Sequence, residues 1–551
     1  MKLITDYLKA TLVFIFLITA TGNTVAQNFD KQIDEMLEAQ FKPDIPGATA
    51  LIAKDGKVIY RKAFGLANLE LNVPMEPENV FEIGSITKQF TAVSILMLLE
   101  QNKLSLEDDI TVFMPDYPTM GKSITVHHLL THMSGVRSYT DMASFREQAR
   151  TDMTPTELID VFKNEPLDFD PGEEWHYSNS GYILLGYIIE KVSGVSYADF
   201  IQKNIFDKLE MKHSYYGSKS SLIPNRASGY QPSENGYRNA EYLSMTLPYA
   251  AGSIMSTVDD LLIWSQAIHN NTLMSKESKK LAFTNYLLNN GKATNYGYGW
   301  QPNELNGTPS IEHGGGIFGY NTMGVYVPSE NVYVAVFTNA NGNSPTTLAV
   351  KMAAIAIGKP FNQTSSISLS SAQLEKWVGT YEFDNEVLRF ITLKDGNLYS
   401  QREGSEIFKL IATSQSTFSF ESTTNTYVFS EEDGKKNALF KNRIDESKGV
   451  ESAKKPSSEK PSIALDAATL EQYVGSYELQ PGFVIEVSTK GSQIFAVATG
   501  QPQFEMFAEK EDRFFLKVVA ATMDFNKDDN GVIESLTLHQ GGQDMVGKKI
   551  K

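Results

Sequence analysis

The sequence predicts an α/β (α+β) domain, with helices packed on an antiparallel sheet, followed by two small all-β, barrel-like domains. Alternating, strand-like runs lie near both ends of residues 29–358, and apolar helical segments lie between them, which favours one sheet covered by helices. A nine-residue motif then occurs twice, and each copy leads into short strands separated by turns. At 551 residues the chain is also long enough for several domains.

These patterns divide the chain into six segments. The linkers are predicted because residues 362–371 are rich in Ser and Thr, and residues 446–461 are rich in Ser, Lys and Glu without an apolar period. The predicted segments are a signal peptide (1–27), the α/β domain (28–360), a linker (361–372), a first barrel-like domain (373–445), a second linker (446–464) and a second barrel-like domain (465–551).

The N-terminus has the pattern of an export signal. Lys2 and Lys9 precede the apolar stretch Ala10–Ala20, and small residues suited to cleavage lie at 24–26. The stretch is shorter than the ~20 residues that a membrane-spanning helix needs. We therefore expect a periplasmic or secreted protein, without stable membrane insertion after the signal is removed.

In the α/β domain, element ends carry recognisable signals. Asp55-Gly56 lies between two alternating runs and predicts a hairpin. Thr125 is a candidate helix N-cap, and Gly135 would follow the end of that helix. The predicted helices are Ser85–Leu99, Val126–Met133, Ser180–Val192 and Asp259–Ile268, and the predicted strands are Ala48–Ala53, Lys57–Ala63 and two runs within Asn321–Thr338.

The repeated motif indicates a duplicated small domain. Leu374–Glu382 and Leu470–Glu478 are identical at six of nine positions, and two of the differences exchange like for like. The spacing between the copies is too long for a solenoid repeat. Short strands with regular turns after each copy predict an antiparallel barrel or sandwich.

Composition and spacing exclude several classes of site. The net charge of −17 disfavours a nucleic-acid partner. The absence of cysteine excludes disulfides, a Cys-ligated zinc and a thiol nucleophile. His128 and His132 have zinc-compatible spacing but no acidic ligand nearby, and Asn526–Gly531 departs from a calcium loop and predicts a hairpin turn. No metal and no cofactor is expected, and the sequence does not predict an oligomeric state.

Three short motifs carry candidate chemistry, and the first is Ser85-Ile86-Thr87-Lys88 at the start of a buried helix. A serine at a helix N-terminus benefits from oriented backbone N–H groups, and a lysine three residues later lies on the same helical face. A lysine kept neutral by burial could take the serine proton. The alternative is an N-cap serine followed by an ordinary surface lysine.

The second and third motifs are Tyr177-Ser178-Asn179 and His313-Gly314-Gly315. The tyrosine follows a Pro-Gly turn, and its phenol could relay a proton if nearby cations lowered its pKa, while the asparagine amide could bind a substrate amide. The glycines precede a predicted strand and would let a ligand backbone approach closely. The alternatives are a core tyrosine with a helix cap, and a flexible turn.

Taken together, in the order SxxK, YxN and HxG, these motifs resemble those of the penicillin-recognising serine hydrolases. That group includes class C β-lactamases, DD-peptidases, D-aminopeptidases and related esterases. The flanking segments 124–135 and 250–257 are also similar to the family, and the resemblance covers about residues 30–358. The duplicated C-terminal domains are similar to the two barrels of D-aminopeptidases and to lipocalin-like tails in the same group. The resemblance implies a β-lactamase-like fold for residues 28–360.

The resemblance also implies a role for each motif residue. Ser85 would be the acylated nucleophile, and Lys88 and Tyr177 would share the proton transfers. Acyl transfer needs such helpers because a serine hydroxyl is a weak nucleophile at neutral pH.

Substrate binding is implied for a second set of residues. Asn179 would hold the substrate amide, and His313 and Gly315 would line the opposite wall of the site, on an edge strand. The backbone N–H groups of Ser85 and Gly316 would form the oxyanion hole.

The chain departs from the family's β-lactamases, which usually carry Lys-Thr-Gly where this sequence has His313-Gly314-Gly315. A mostly neutral imidazole pairs less well with the carboxylate of a β-lactam than a permanent cation does. The expected function is an exported serine hydrolase that forms an acyl-enzyme with a small-molecule or short peptide substrate: an amide, a peptide with D-amino acids, or an ester. The alternatives are a β-lactamase or penicillin-binding DD-peptidase, and a non-catalytic protein that binds peptide or lipid.

Overall fold

The computed structural model describes residues 29–551 except 143, 343, 362–365, 385–386, 422, 457–461, 481–482, 500–502, 519–520, 529 and 541–542. The predicted signal peptide lies outside the described residues. The chain divides into two compact units, one ending at Phe361 and one beginning at Asn362. No helix in the described part of the chain is both long and apolar enough to cross a membrane.

The first unit mixes strands with helices. Its strands are β1 (Ala48–Lys54), β2 (Lys57–Phe64), β3 (Leu66–Asn68), β4 (Val73–Pro74), β5 (Phe81–Glu82), β6 (Tyr215–Tyr216), β7 (Tyr230–Ser233), β8 (Gly236–Asn239), β9 (Ile254–Ser256), β10 (Gln301–Leu305), β11 (Thr308–Ile317), β12 (Tyr320–Val327) and β13 (Val332–Thr338). Its α-helices are α1 (29–40), α2 (Thr87–Glu100), α3 (Val126–Leu130), α4 (Phe145–Gln148), α5 (Pro155–Phe162), α6 (Asn179–Ser193), α7 (Tyr197–Ile201), α8 (Asp207–Leu209), α9 (Tyr249–Gly252), α10 (Val258–His269), α11 (Lys276–Phe283) and α12 (Thr346–Ala356).

The central sheet has the strand order β10-β11-β12-β13-β1-β2, and each neighbouring pair is antiparallel. The predicted hairpin joins β1 to β2, with Asp55 and Gly56 both at positive φ (52° and 73°). Two positive φ angles give the turn a twist that matches the strands. The sheet and its hairpin confirm the prediction of an antiparallel sheet in this unit.

Both faces of the sheet are covered by helices because its strands are apolar on both sides. Along β13, Val332, Val334 and Val336 pack with α1 and α12, while Tyr333 and Phe337 belong to the larger core on the other face. Alternate side chains of a strand point to opposite faces, so such a run reads as continuously apolar. The large core contains α2 and α6, the two helices that carry the candidate site.

The predicted helices are present with small shifts at their ends. Thr125 caps α3 by accepting from the His128 N–H, as predicted, but α3 ends at Leu130 and not at Met133. The helix ends early because His132 adopts a left-handed conformation with φ of 62°, which no α-helix can contain. Gly194, at φ of 77°, ends α6 as expected.

The second unit holds two closed barrels of eight strands each, in which sequential strands pair antiparallel and the last strand closes on the first. This confirms the predicted all-β domains and identifies them as barrels. The first barrel follows helix α13 (Ser371–Glu375) and contains β14 (Gly379–Glu382), β15 (Leu388–Lys394), β16 (Asn397–Arg402), β17 (Ile407–Ala412), β18 (Thr417–Phe420), β19 (Thr426–Glu432), β20 (Lys435–Asn442) and β21 (Asp445–Ser452).

The second barrel repeats this order. It follows α14 (Ala467–Glu471) and contains β22 (Gly475–Gln480), β23 (Phe483–Lys490), β24 (Gln493–Ala498), β25 (Gln503–Lys510), β26 (Arg513–Leu516), β27 (Ala521–Lys527), β28 (Ile533–Gln540) and β29 (Gln543–Lys549). The turn between β27 and β28 is the hairpin predicted in place of a calcium loop, with Asp528 accepting from the Asn530 and Val532 N–H groups.

The repeated motif has the same structural task in both barrels. The hydroxyl of buried Tyr381 donates to the carbonyl of Trp377 at 2.9 Å, and that of Tyr477 donates to the carbonyl of Tyr473 at 2.7 Å. Each bond connects the first strand to the turn that follows the short helix before it, and all four rings are buried. This explains why aromatic residues recur at both positions of the motif.

One predicted boundary needs correction. Residues 446–464 were expected to form a linker, but β21 extends to Ser452 and pairs with both β20 and β14. Its sequence is polar because few of its side chains are buried, so it lacks the apolar period that predicts a strand. Its backbone nevertheless closes the first barrel.

Candidate active site

Ser85 is the single accessible residue in a buried stretch. Residues 79–98 are buried apart from Ser85, which lies in a 3₁₀ turn, Gly84–Ile86, directly before α2. Strand β5, two residues earlier, pairs with β9 and fixes the approach to this turn. The sequence therefore presents one hydroxyl at the surface of a rigid core, which suits a nucleophile.

Lys88 lies one turn further along and is fully buried. Its Nζ is 3.1 Å from Ser85 Oγ, 2.8 Å from Asn179 Oδ1 and 2.9 Å from the carbonyl oxygen of Ala251. Burial lowers the pKa of Lys88 well below its usual value. The amine is thus favoured in its neutral form.

The contacts of Lys88 also orient its lone pair. A neutral amine has two N–H groups and one lone pair, and the Asn179 and Ala251 oxygens can only accept hydrogen bonds. In the neutral form both N–H groups are therefore used, and the lone pair is left to accept a hydrogen bond from the Ser85 hydroxyl. This geometry is that of a base poised to remove the serine proton.

The start of helix α6 positions Asn179. Ser178 caps the helix by accepting from the Gly181 N–H, and Asn179 is the first helical residue. Its Oδ1 accepts from Lys88 and its Nδ2 donates to Thr140 Oγ1 at 3.0 Å, so both ends of the amide are fixed. The helix thus brings the YxN motif to the SxxK motif, as predicted.

Tyr177 lies directly over the lysine. Lys88 Nζ is 4.7 Å from the centre of the Tyr177 ring. The Tyr177 hydroxyl is buried and has no hydrogen-bond partner among the residues that the structure describes. Burial raises the pKa of Tyr177, and the nearby Ser85 side chain offsets this only in part. Nearby cations therefore do not lower the pKa of Tyr177, and the neutral phenol is the favoured form.

Gly315 and Gly316 of β11 differ in how closely other atoms pack against them. A Cβ atom on Gly315 would lie 2.0 Å from the Ile83 carbonyl oxygen and 2.4 Å from Thr322 Oγ1. The strand can approach the segment before Ser85 only because Gly315 has no side chain. A Cβ on Gly316 would meet nothing closer than Asn321 Oδ1 at 3.5 Å. Gly315 is therefore required by packing, and Gly316 is not.

The structure corrects the predicted place of His313. The side chain is 3% exposed, its Nδ1–H donates to the Gly314 carbonyl at 2.6 Å, and its Nε2 accepts from the Tyr296 hydroxyl at 2.8 Å. Burial, and secondarily the nearby Lys88, lowers the pKa of His313 to about 4. A neutral, doubly bonded imidazole inside the domain does not line a wall.

The strand that carries this motif is also only partly an edge strand. Strand β10 pairs with Thr308–Glu312 of β11, so only the end of β11 from His313 onward lacks a neighbour on that side.

An open cleft of about 230 Å³ lies over Ser85. Gly316 and Asn179 line it together with Ser85, whereas His313 and Gly315 do not. Most of the remaining lining is apolar or aromatic. The lining residues are Gly84, Ser85, Tyr139, Thr140, Phe145, Asn179, Leu243, Pro248, Ala251, Gly252, Gly316, Ile317 and Phe318.

Four contributing residues escaped the sequence reasoning. Thr140 fixes the Asn179 amide, the Ala251 carbonyl accepts from Lys88, and Tyr296 holds His313. His132 accepts from the Ser178 N–H, and its ring lies 4.3 Å from that of Tyr177. Only Ala251 and His132 lie in segments that the family resemblance singled out.

Metal binding finds no support in this site. Among the described residues, no group of three or more His, Asp or Glu side chains is placed to hold an ion. His128 is part of the α3 cap, and His132 lies beyond the end of that helix, so the two do not share a helical face.

Comparisons with known proteins agree with the motifs. The family model described as Beta-lactamase matches residues 26–357, the range that contains Ser85, Lys88, Tyr177, Asn179 and His313. A domain of unknown function (DUF3471) matches residues 459–549, which include the second barrel.

Individual relatives come from the same group. Penicillin-binding protein 4* of Bacillus subtilis (strain 168) is 30% identical over 418 residues, which are 71% of this chain and 92% of that protein. D-aminopeptidase of Gluconobacter oxydans (strain 621H) is 27% identical over 334 residues, which are 59% of this chain and 62% of that protein.

Solved structures show the same likeness. The octameric penicillin-binding protein homologue from Pyrococcus abyssi is 27% identical, with a TM-score of 0.53 over 78% of this chain and 99% of that one. A D-stereospecific amidohydrolase from Streptomyces is 25% identical, with a TM-score of 0.51 over 59% of this chain and 98% of that one. The resemblance drawn from the three motifs is therefore confirmed.

Proposed function

Because the chain belongs to the β-lactamase family of serine hydrolases, we propose that it is an exported enzyme that acylates Ser85 with small amides, peptides or esters. The observation that carries this proposal is the buried Lys88 amine, whose Nζ lies 3.1 Å from Ser85 Oγ and whose pKa is lowered by burial. The pattern of residues 1–27 supports export to the periplasm or the medium.

In the proposed first step, Ser85 Oγ forms a bond to the substrate carbonyl carbon while its proton passes to Lys88 Nζ. Backbone N–H groups of Ser85 and Gly316, which line the same cleft, would stabilise the negative charge on the former carbonyl oxygen. The site thus supplies a base and an oxyanion hole for one tetrahedral intermediate.

Collapse of that intermediate breaks the bond to the leaving group, which needs a proton. Tyr177 is suited to donate it, because its phenol is neutral and its hydroxyl is not used in another hydrogen bond within the described residues. The Lys88 ammonium, close under the Tyr177 ring, then returns its proton to the tyrosine. Water hydrolyses the acyl-enzyme by the reverse sequence of transfers.

The cleft supports substrates with small, uncharged acyl groups. None of the described residues that line the cleft carries a formal charge, and apolar side chains such as Leu243, Ile317 and Phe318 form much of the wall. A substrate carboxylate or ammonium group would lose hydration there without gaining an ionic partner. Among the substrate classes of the family, neutral esters and amides therefore fit this cleft best.

The proposal is tested by steady-state kinetics on three matched p-nitrophenyl esters that cannot cyclise: 4-methylbenzoate, 4-carboxybenzoate and 4-(aminomethyl)benzoate. We expect kcat/KM to be highest for the uncharged 4-methylbenzoate, by about tenfold or more over either charged ester, since charge burial without a partner costs at least 1–3 kcal/mol by analogy with buried polar groups. Equal values for all three would contradict the uncharged-acyl assignment. No turnover of any ester or of a D-amino acid amide would contradict hydrolysis of small substrates.

A second candidate, acylation by penicillins, is favoured by the 30% identity to a penicillin-binding protein. His313 gives no cation for the antibiotic carboxylate, because it is neutral and lies behind the wall. Intact-mass detection after incubation with benzylpenicillin tests this candidate separately. A stoichiometric adduct on Ser85 would establish it, and an unmodified mass under conditions where an ester acylates the protein would exclude it.

A further inference from the structure

Arg389 places a positive charge inside the first barrel. It lies on β15 opposite Tyr381 of β14, and two residues before Ile391. Tyr381 and Ile391 are both in the buried core of the barrel, and residues opposite or two apart on strands share one face. The Arg389 side chain therefore points toward the barrel interior.

The guanidinium is surrounded by aromatic rings and hydroxyl groups. Its central carbon is 3.9 Å from the ring centre of Phe440 and 5.4 Å from that of Phe383. One terminal nitrogen donates to the Tyr427 hydroxyl at 3.4 Å, and that hydroxyl lies 3.0 Å from Ser400 Oγ. These contacts hold the cation in place but do not neutralise it.

Arg389 has no anionic partner within the part of the chain that the structure describes. Its Nε atom is buried and makes no hydrogen bond. A buried donor without a partner is costly, so each such group in a folded protein calls for an explanation. The buried Nε–H is thus a donor that has no acceptor among the described residues and that an external ligand could use.

A second arginine strengthens this interpretation. Arg402 of β16 lies directly opposite Arg389 in the strand ladder. Arg402 is exposed at the end of β16, and like charges directly opposite each other destabilise a sheet, so an anion between the two arginines would relieve their repulsion.

The second barrel provides an internal comparison. There, Ile485 occupies the position opposite Tyr477 that Arg389 occupies opposite Tyr381, and Ala498 lies opposite Ile485 where Arg402 lies opposite Arg389. An apolar pair therefore satisfies the same barrel position. The fold does not require arginines there.

We propose that Arg389 and Arg402 form a binding site for an oxyanion, a carboxylate or phosphate group, at one end of the first barrel. Planar guanidinium groups recognise such oxygens with paired N–H donors. The Tyr427 and Ser400 hydroxyls supply further donors beside them. Because the barrel interior is filled by aromatic side chains, the ligand group is small or terminal. The site lies outside the hydrolase unit, so the proposal does not rest on the proposed function.

The test is isothermal titration calorimetry of the full-length protein in low-salt buffer free of carboxylate and phosphate. The probes are sodium butyrate, its uncharged isostere butyramide, and inorganic phosphate. The variants are Arg389→Gln and, as a matched control, Lys394→Gln, which removes one exposed cation from the far end of the same strand. Circular dichroism melting verifies that both variants fold.

We expect at least one of the two anions to bind the wild type and the Lys394→Gln control alike. Arg389→Gln should weaken that binding by about tenfold or more, the scale of a hydrogen bond to a charged group. Butyrate alone would identify a carboxylate site, and phosphate alone a phosphate site. The proposal is overturned if neither anion binds the wild type, if Arg389→Gln binds as well as the control does, or if butyramide binds as tightly as butyrate.

Discussion

At the scale of single residues, the burial of Lys88 that suits it to catalysis also lowers the stability of the folded domain. Its pKa is well below 10.5 in the folded domain and about 10.5 in the unfolded chain. Between these two values the unfolded chain binds a proton that the folded chain does not, so stability rises with pH across this window and levels off above 10.5. The burial that keeps the amine neutral for Ser85 thus weakens the fold at neutral pH.

A Lys88→Met variant tests this linkage. Methionine has a similar length and no charge, so the free energy of unfolding of the wild type, minus that of the variant, should increase with pH. The expected slope is up to about 1.4 kcal/mol per pH unit, for one proton. Denaturant unfolding of both proteins between pH 7 and pH 9 measures it. A difference that is constant with pH would show that Lys88 is protonated in the folded state.

The Tyr177 hydroxyl is expected to matter for the acylation rate but not for stability. Since its hydroxyl makes no hydrogen bond in the described structure, Tyr177→Phe should change the melting temperature little. Acylation should nevertheless slow by about 10²-fold or more, the usual contribution of a positioned proton donor. Turnover of an amide, whose amine leaving group must be protonated, and a thermal melt decide the point together. A near-wild-type rate would make Tyr177 a packing residue.

At the scale of elements, two neighbouring glycines of strand β11 have different roles: Gly315 is needed for packing, and Gly316 lines the cleft. Gly315→Ala should lower the stability of the hydrolase unit by about 1–3 kcal/mol, because the Ile83 carbonyl leaves no room for a Cβ atom. Gly316→Ala should fold normally, because its new Cβ meets only ordinary contacts. Thermal melts of the two variants compare them directly, and equal melting temperatures would contradict the assignment.

The same strand shows how far sequence reasoning extends. Motif order predicted that β11 would approach Ser85, and it does. That His313 would turn inward to Tyr296 was not predictable, because the two residues are 17 positions apart and only tertiary packing joins them. The helix of Asn179 was predictable, since Ser178 and Gly194 carry standard end signals.

Elements that are held by backbone hydrogen bonds to distant strands, and not by buried side chains, were harder to predict. Strand β21 is polar, and it is held by backbone bonds to β14 and β20. The early end of α3 depends on a left-handed His132, a conformation that histidine adopts only in suitable tertiary surroundings. Local patterns predicted elements with an apolar face or a cap, and they missed those fixed by distant partners.

At the scale of the whole molecule, the chain consists of two units with separate cores, which meet in sequence between Phe361 and Asn362. A chain that ends after Phe361 should therefore fold into a soluble domain that retains Ser85, Lys88, Tyr177 and Asn179 in place. We expect its acylation rate with the smallest ester to lie within about threefold of the full-length rate, an effect below 1 kcal/mol. Insoluble or unfolded protein would show that the hydrolase unit depends on the barrels.

The central claim is that Ser85 is acylated with Lys88 as its base, and covalent labelling tests it most directly. The measurement is intact-mass analysis and peptide mapping after treatment with a fluorophosphonate, for the wild type and for Ser85→Ala. Ser452, which also has a lysine three residues later but donates to Glu382, is the natural comparison. We expect one adduct on Ser85 in the wild type and none in the folded variant. Labelling that persists in Ser85→Ala, or that maps to Ser452, would contradict the account.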